Sequence, residues 1–416
     1  MVGLAASALP LGVAGAASQP APPDESRILY LLPVTDSRPT VERVEGLSAS
    51  LGQGGPYLRV GFSGVFRYMA DVDPERDYQI VTTRLEEIAA VARQTQTPFL
   101  VHLNGGRWAG GGPLVETLAS DPKAMEWDRR NHPWTHLVDG EYYFSLGIYN
   151  ERYRRYKERN LEAAAAWLAD FAAGPDGHLL VGVSTDSEML VNLQPYYDYN
   201  PLVAEELVDW LAGTGPYGPG GRWQAEGQGL TLAQMNRRYG TGYRRWKEVG
   251  PPREDDGGPF WRDWTAFRIM LVHHSVQDQV DWIGQAGLPA ERIFSHQSAA
   301  VNPKVLGDAL TTARVSGGNL GVTLYASQTV DTDLLSQLGS LSRTWGVLEY
   351  RPDAPDPAAT LHALDLLRAY APRVLCPYHW DDLGGRNEAG FTIVRTPIVE
   401  ALRTFVRLYA EQPLPG

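Results

Sequence analysis

The segment Leu179–Glu188, LLVGVSTDSE, shows the pattern on which the fold of this chain depends. It is a short apolar run that ends in polar residues, which is typical of a buried strand in a parallel sheet. Seven more runs of this kind occur along the chain: Ile28–Pro33, Tyr57–Gly64, Pro98–Asn104, Arg292–Gln297, Leu320–Ala326, Trp345–Arg351 and Val374–Trp380.

Helical segments lie between these runs. The predicted helices are Tyr78–Gln94, Asn150–Ala173, Trp264–Ala286, Ala358–Ala371 and Thr396–Glu411. Eight strands that alternate with helices predict an α/β protein built as a single closed (β/α)8 TIM barrel, in preference to an open doubly wound sheet. The Gly-rich motifs of nucleotide-binding α/β folds are missing from the sequence, which also disfavours the open sheet.

Two of the predicted connections are long, about 105–178 after the third strand and about 189–291 after the fourth. Loops at the carboxyl ends of barrel strands build the active site in this fold. We therefore interpret both segments as insertions within one catalytic domain of residues 26–416.

The first 25 residues are predicted to be a signal-like or disordered leader. Residues 2–18 are small and apolar and precede a Pro-rich stretch, so the segment resembles a secretion signal that lacks a positively charged start. We expect export to the periplasm or outside the cell after removal of the leader. Without such removal the location would be cytoplasmic.

Composition narrows the classes of partner. The 37 Lys and Arg residues against 49 Asp and Glu residues give a net charge of −12, which disfavours nucleic acid. No segment after the leader is long and apolar enough to predict a membrane span. The single cysteine, Cys376, excludes intramolecular disulfides and multi-cysteine zinc sites. The 12 Trp and 20 Tyr against 10 Phe favour a ligand that is part apolar and part hydroxyl, such as a carbohydrate.

No metal or other cofactor is predicted. His132, His136 and Glu141 follow one another in the first insertion, but their spacing matches no HExxH-type metal signature. Cys376 falls in the middle of a predicted strand, and no Gly-x-Ser-x-Gly motif is present, which disfavours nucleophilic cysteine or serine catalysis. The sequence leaves the oligomeric state open.

Two carboxylates lie at or near the ends of apolar runs, which is where barrel enzymes carry their catalytic residues. Glu188 ends the fourth run, and Glu349 lies near the end of the seventh. Glycoside hydrolysis needs one carboxylic acid to protonate the leaving oxygen and a second carboxylate to attack the anomeric carbon or direct water to it. The carboxyl ends of barrel strands meet at one mouth, so Glu188 and Glu349 are the predicted catalytic pair.

Further polar and aromatic residues near these ends are candidates for substrate binding. Asp186 has two open interpretations, since it could position substrate or anchor the barrel through hydrogen bonds. Trp108 and Trp380 could be platforms for sugar rings or ordinary packing residues. The full candidate set is Arg59, Asn104, Trp108, Asp186, Ser187, His296, Gln297, Tyr325, His379 and Trp380.

The second insertion carries a family resemblance. Residues 232–252, LAQMNRRYGTGYRRWKEVGPP, and 259–268, PFWRDWTAFR, resemble the segment that follows the acid/base glutamate in family 42 β-galactosidases. A catalytic pair on strands 4 and 7 is also the arrangement of the clan A retaining glycoside hydrolases. The barrel arrangement covers nearly the whole chain, whereas the closer similarity covers about 200–285.

The resemblance assigns roles to individual residues. It implies that Glu188 is the general acid/base and Glu349 the nucleophile. It also implies that Tyr325 donates a hydrogen bond to Glu349, that Arg59 keeps it ionised, and that Trp380 forms the floor of the subsite for the cleaved sugar.

Two features depart from the family. Ser187 replaces the Asn that normally precedes the acid/base, which leaves room beside the sugar 2-hydroxyl, and the family's cysteine zinc cluster is missing. We expect a retaining hydrolase of β-linked glycosides that is β-galactosidase-like and acts by double displacement. Two alternatives stay open, a non-catalytic carbohydrate-binding protein on a degenerate barrel and a transglycosylase. The sequence does not specify the sugar or the linkage.

Overall fold

The computed structural model describes residues 24–35, 38–106, 111–138, 141–144, 147, 149–187, 198–254, 256–298, 312, 314–325, 329–342, 344–351, 356–378 and 396–415. Nearly all of the predicted leader lies outside the described residues. So do four residues of the predicted site, Trp108, Glu188, His379 and Trp380.

Fifteen strands occur in the described part of the chain. They are β1 Leu29–Leu31, β2 Val34–Thr35, β3 Leu58–Val60, β4 Phe62–Phe66, β5 Val72–Asp73, β6 Gln79–Ile80, β7 Phe99–Leu103, β8 Thr135–Val138, β9 Glu141–Phe144, β10 Leu180–Ser184, β11 Ile293–Phe294, β12 Gln297–Ser298, β13 Leu320–Tyr325, β14 Trp345–Arg351 and β15 Val374–Pro377. All eight predicted runs contain strand, and the run Trp345–Arg351 matches β14 at both ends.

The same part of the chain holds ten α-helices. They are α1 Val41–Leu51, α2 Thr83–Thr95, α3 Pro113–Ala119, α4 Glu151–Ala173, α5 Pro201–Ala212, α6 Leu232–Tyr239, α7 Pro259–Gln285, α8 Thr332–Leu341, α9 Pro357–Ala369 and α10 Thr396–Tyr409. None of the helices among the described residues combines the length and the apolar character needed to cross a bilayer.

In the two larger sheets every pairing is parallel. One sheet has the order β12-β13-β14-β15-β1-β3 and the other β11-β10-β7-β4-β2. The second and fifth predicted runs are each divided into two short strands, and the first run continues past Pro33 into β2. In all three places the two short strands belong to different sheets. These three runs therefore connect the sheets to each other.

Side chains of alternate strand residues enter two different apolar clusters. In β1, Leu29 and Leu31 pack in the large outer cluster with residues of the helices, whereas Tyr30 packs in a smaller inner cluster. This alternation follows from the two-residue period of a strand. The inner cluster draws on strands of both sheets, so the sheets share it as a common core: Ile28, Tyr30, Leu32, Val34, Leu100, Val181, Phe294, Leu348, Val374 and Cys376.

A β-bulge changes the alternation in β14. The pairing with β13 goes from Val322↔Val347 to Thr323↔Glu349, which leaves Leu348 as the extra residue. Val347 and Leu348 lie on opposite sides, in the outer and inner clusters. Because a bulge lets consecutive residues share a side, Glu349 follows Leu348 to the inner side of the strand.

Two predicted helix starts were wrong. The segment Tyr78–Gln94 becomes helical only at Thr83, because Asp77 and Tyr78 have left-handed φ values of 51° and 56° and lead into β6 of a small hairpin. In contrast, α7 begins five residues before the expected Trp264, with Pro259 in its first turn, where a missing N–H costs nothing.

The second insertion has a hydrophobic cluster of its own. Its buried residues are Tyr199, Val203, Leu207, Trp210, Leu211, Tyr217, Met235, Val249, Trp261, Trp264, Phe267 and Leu271. The helix α7 runs through both cores, since Trp264 lies in the insertion cluster and Ile283 in the outer cluster of the sheets. One continuous helix thus joins the insertion to the strands.

Gly61, between β3 and β4, has no room for a side chain, and a substitution can test this. A Cβ on Gly61 would lie 2.1 Å from the carbonyl oxygen of Pro98. We expect Gly61→Ala to lower the free energy of unfolding by about 1–3 kcal/mol, as overpacking does in other cores. Gly242→Ala is the matched control, because a Cβ there has no described heavy atom within 4 Å. Equal urea midpoints for the two variants would contradict this expectation.

Candidate active site

Beyond the inner apolar cluster, toward the carboxyl ends of the strands, the inward side chains become polar. His102 of β7 is buried between two serines of the neighbouring strands. Its Nδ1 lies 3.0 Å from Ser184 Oγ, and its Nε2 lies 3.1 Å from Ser63 Oγ. With both ring nitrogens hydrogen-bonded, the His102 ring is fixed in orientation.

A second histidine, His296, lies between β11 and β12. It is fully buried, its ring centroid is 5.7 Å from that of His102, and its Nε2 lies 3.0 Å from Thr323 Oγ1. Burial holds the pKa of His296 well below its ordinary value, and the nearby His102 lowers it further. His296 is therefore a neutral imidazole at neutral pH.

Glu349 lies against this layer and is only 6% exposed. The hydroxyl of Tyr325 donates a 2.8 Å hydrogen bond to Oε1, and Oε2 is 4.0 Å from Nε2 of His296. The structure thus brings together three residues of the predicted site, Glu349, Tyr325 and His296. The contact between Tyr325 and Glu349 is the one that the family resemblance implied.

Cys376 of β15 lies beside this group. Burial raises the pKa of its thiol, and the Glu349 carboxylate adds to the rise. A thiol with a raised pKa is a poor nucleophile at neutral pH. Cys376 is thus a packing residue of the inner cluster.

Asp186 lies two residues after the end of β10. It is fully buried, and its Oδ1 accepts hydrogen bonds from the Tyr68 hydroxyl and the Gly105 amide, each at 2.7 Å. Its Oδ2 forms an ion pair with Lys157 of α4. Of the two interpretations left open by the sequence, these contacts correspond to the anchor.

The described contacts of Arg59 are with Tyr30. Its guanidinium lies over the ring of Tyr30 and 3.5 Å from that residue's hydroxyl, not at Glu349. In the parallel pairings Arg59 is opposite Tyr30, Tyr30 is opposite Val374, and Val374 is opposite Gly346. Gly346 lies three residues before Glu349 in β14. At about 3.3 Å per residue this is an offset of about 10 Å. Arg59 stands near the amino end of its run, so its side chain lies away from the carboxyl ends.

Other candidates occupy different positions. The Oδ1 of Asn104 accepts a hydrogen bond of 3.4 Å from the Gly106 amide, so this side chain holds the turn after β7. Gln297 pairs in register with Val322 of the outer cluster and donates to Ser295 Oγ, which places it on the helix side of the strand. Ser187 is partly exposed and is the last described residue before Glu188.

The candidate residues predicted from the sequence did not include several residues of this site. Ser63, Ser184 and Thr323 hold the two histidines, and each has the strand parity of an inward residue, which is the signal that could have identified it. Lys157 had no such signal, because it lies within a charged helical run that is typical of a solvated face. Within the described ranges, no group of three His, Cys, Asp or Glu residues is arranged to hold a metal ion.

Comparisons with known proteins give a fold and no family. No family model matches the sequence, and no curated protein matches it. Among solved structures, the catalytic domain of beta-amylase from Paenibacillus polymyxa superposes with a TM-score of 0.63 over 92% of this chain and 99% of that one, at 10% sequence identity. The fold of this chain is therefore similar to that of a TIM-barrel domain.

The neutral state of His296 makes stability depend on pH. The unfolded chain binds a proton at this histidine below about pH 6.5, whereas the native protein does not. Stability from His296 is therefore complete above pH 6.5 and is lost as the pH falls, by at most about 1.4 kcal/mol per pH unit. Urea unfolding between pH 8 and pH 5 should show a wild-type protein that weakens faster than His296→Gln. Parallel curves for the two proteins would contradict a neutral native His296.

Proposed function

We propose that the chain is a glycoside hydrolase whose two sheets close into one (β/α)8 barrel. Closure is supported by the order of parallel pairings, which goes from the first run through all eight and returns from β15 to β1. The shared inner cluster and the superposition on the beta-amylase domain support it as well. A catalytic site would then lie at the carboxyl ends of the strands.

One observation carries the proposed activity: the buried Glu349 carboxylate, oriented by Tyr325 at the carboxyl end of a strand. A carboxylate taken out of water needs hydrogen bonds to stay charged, and Tyr325 supplies one. We assign Glu349 the role of attacking carboxylate because it lies near the end of the seventh predicted strand, where the family resemblance places the nucleophile.

The partner carboxylate in this proposal is Glu188, which lies outside the described residues. Its support is its position in the chain, directly after Ser187 at the end of β10. Strands 4 and 7 of a barrel both deliver their next residues to the same mouth.

The proposed reaction is double displacement. Glu349 forms a bond to the anomeric carbon while the glycosidic C–O bond breaks, and the leaving oxygen takes the proton of Glu188. Water then gives its proton to Glu188, attacks the same carbon and releases Glu349. We further propose β-linked, galactoside-like substrates on the basis of the local resemblance at 200–285. Removal of residues 1–25 on export remains part of the proposal.

Removal of the nucleophile tests the function. Against a panel of aryl β-glycosides that differ in their sugar, Glu349→Ala should lose turnover by more than the roughly 10²–10⁴-fold that a general acid alone contributes. Glu400→Gln is the matched control, since this glutamate is exposed on α10. Full activity in Glu349→Ala would refute the assignment.

The same panel separates the remaining alternatives. A parent protein without turnover that binds oligosaccharide equally well after Glu188→Gln/Glu349→Gln substitution would indicate a binding protein. Transfer to an added sugar acceptor in place of water would indicate a transglycosylase.

The anomeric configuration of the first product tests the double displacement. Proton NMR during early turnover should show the β-anomer released from a β-glycoside, because two inversions at the anomeric carbon restore the configuration. Release of the α-anomer would mean a single inverting displacement, which requires carboxyl groups about 6.5–9.5 Å apart to admit water.

A further inference from the structure

The most deeply buried ion pair among the described residues joins Lys157 to Asp186. Lys157, in the middle of α4, is 4% exposed, and its Nζ donates hydrogen bonds to Asp186 Oδ2 and to the hydroxyl of Tyr153. Burial alone would lower the pKa of Lys157, but the interactions with Asp186 and Tyr153 together outweigh burial and raise it. The pair is therefore ionic inside the fold.

The Asp186 carboxylate connects the carboxyl ends of three neighbouring strands. Tyr68 follows β4, Gly105 follows β7, and Asp186 itself follows β10. The main chain of Asp186 is also held, since its amide donates a 3.0 Å hydrogen bond to Gln279 of α7.

The turn after β7 is built around this carboxylate. A Cβ on Gly106 would lie 3.1 Å from Asp186 Oδ2, and one on Gly105 would lie 2.2 Å from the ring of Tyr68. The hydroxyl of Tyr153 also donates to the Gly105 carbonyl at 3.3 Å. The glycines thus let the backbone approach the ion pair closely enough to be fixed by it.

Stability alone is a poor reason for such an arrangement. Taking two charges out of water is costly, and well-packed apolar residues often stabilise a core as well as a buried ion pair does. The pair also fixes the geometry of the backbone, because the contacts of Asp186 restrain the end of β10 against neighbouring elements.

We infer that Lys157 and Asp186 are positioning residues for the general acid of the reaction. They fix the backbone at the end of β10, two residues before Glu188, against the Gly105–Gly106 turn. This inference rests on the proposed function, in which Glu188 donates the proton to the leaving oxygen. Proton transfer requires close placement of donor and acceptor, so a displacement of about 1 Å can cost about 10²-fold in rate.

Leaving-group dependence distinguishes this role from a merely structural one. An alkyl β-glycoside needs protonation of its leaving oxygen, whereas the dinitrophenolate of a 2,4-dinitrophenyl β-glycoside leaves without a proton. Lys157→Met should lower kcat/KM on the alkyl substrate by up to about 10²-fold and on the dinitrophenyl substrate far less. Lys247→Met, at an exposed lysine of the second insertion, should change neither.

A milder variant keeps the inference testable if Lys157→Met does not fold. Tyr68→Phe removes one hydrogen-bond donor to Asp186 and keeps the ring, so it should shift the same ratio in the same direction. An equal loss on both substrates, or no loss, in folded Tyr68→Phe and Lys157→Met proteins would overturn the inference.

Amide hydrogen exchange gives a readout that does not require turnover. In Lys157→Met the amides of Gly105 and Asp186 should exchange faster, while those of α10 should be unchanged. Faster exchange in a protein whose parent cleaves no glycoside would show that the pair restrains this backbone, but it would overturn the proposed function and the positioning role with it. Unchanged exchange in both variants would overturn the positioning role.

Discussion

The structure depends on one constraint, the burial of its parallel strands on both faces. Each strand must supply apolar side chains alternately to the helices outside and to the inner cluster, as Leu31 and Leu32 do in the first run. A polar side chain facing inward is therefore costly unless it is hydrogen-bonded. The described polar groups of the inner face occur toward the carboxyl ends, where His102 is bonded to Ser63 and Ser184.

This constraint explains why the sequence was a good guide to the strands. Runs such as Trp345–Arg351 are apolar on both faces and stand out from the amphipathic helices around them. Features that depend on local backbone geometry could not be predicted from the apolar pattern. The left-handed residues Asp77 and Tyr78 lie at the start of the predicted helical segment and delay the helix to Thr83. The division of three runs between two sheets likewise leaves no mark on hydrophobicity.

The candidate site was predictable in the parts where position along a strand decides orientation. Glu349 and Tyr325 lie near the ends of their runs and meet. Arg59 was assigned by resemblance although it stands near the start of its run, and the register places it about 10 Å from the level of Glu349. Lys157 could not be found from the sequence, because its partner lies 29 residues away and the helix around it is rich in exposed charge.

Two of the buried carboxylates, Asp186 and Glu349, differ in the contacts that surround them. Asp186 is paired with a charged lysine and two further donors, so its charge is fully compensated and unavailable for reaction. Glu349 has a tyrosine hydroxyl and a neutral imidazole beside it. A hydrogen bond orients a carboxylate while leaving most of its negative charge to interact with a developing positive centre. Under the proposed function, the ion pair fixes the backbone near the general acid, whereas the hydrogen bond from Tyr325 orients the nucleophile.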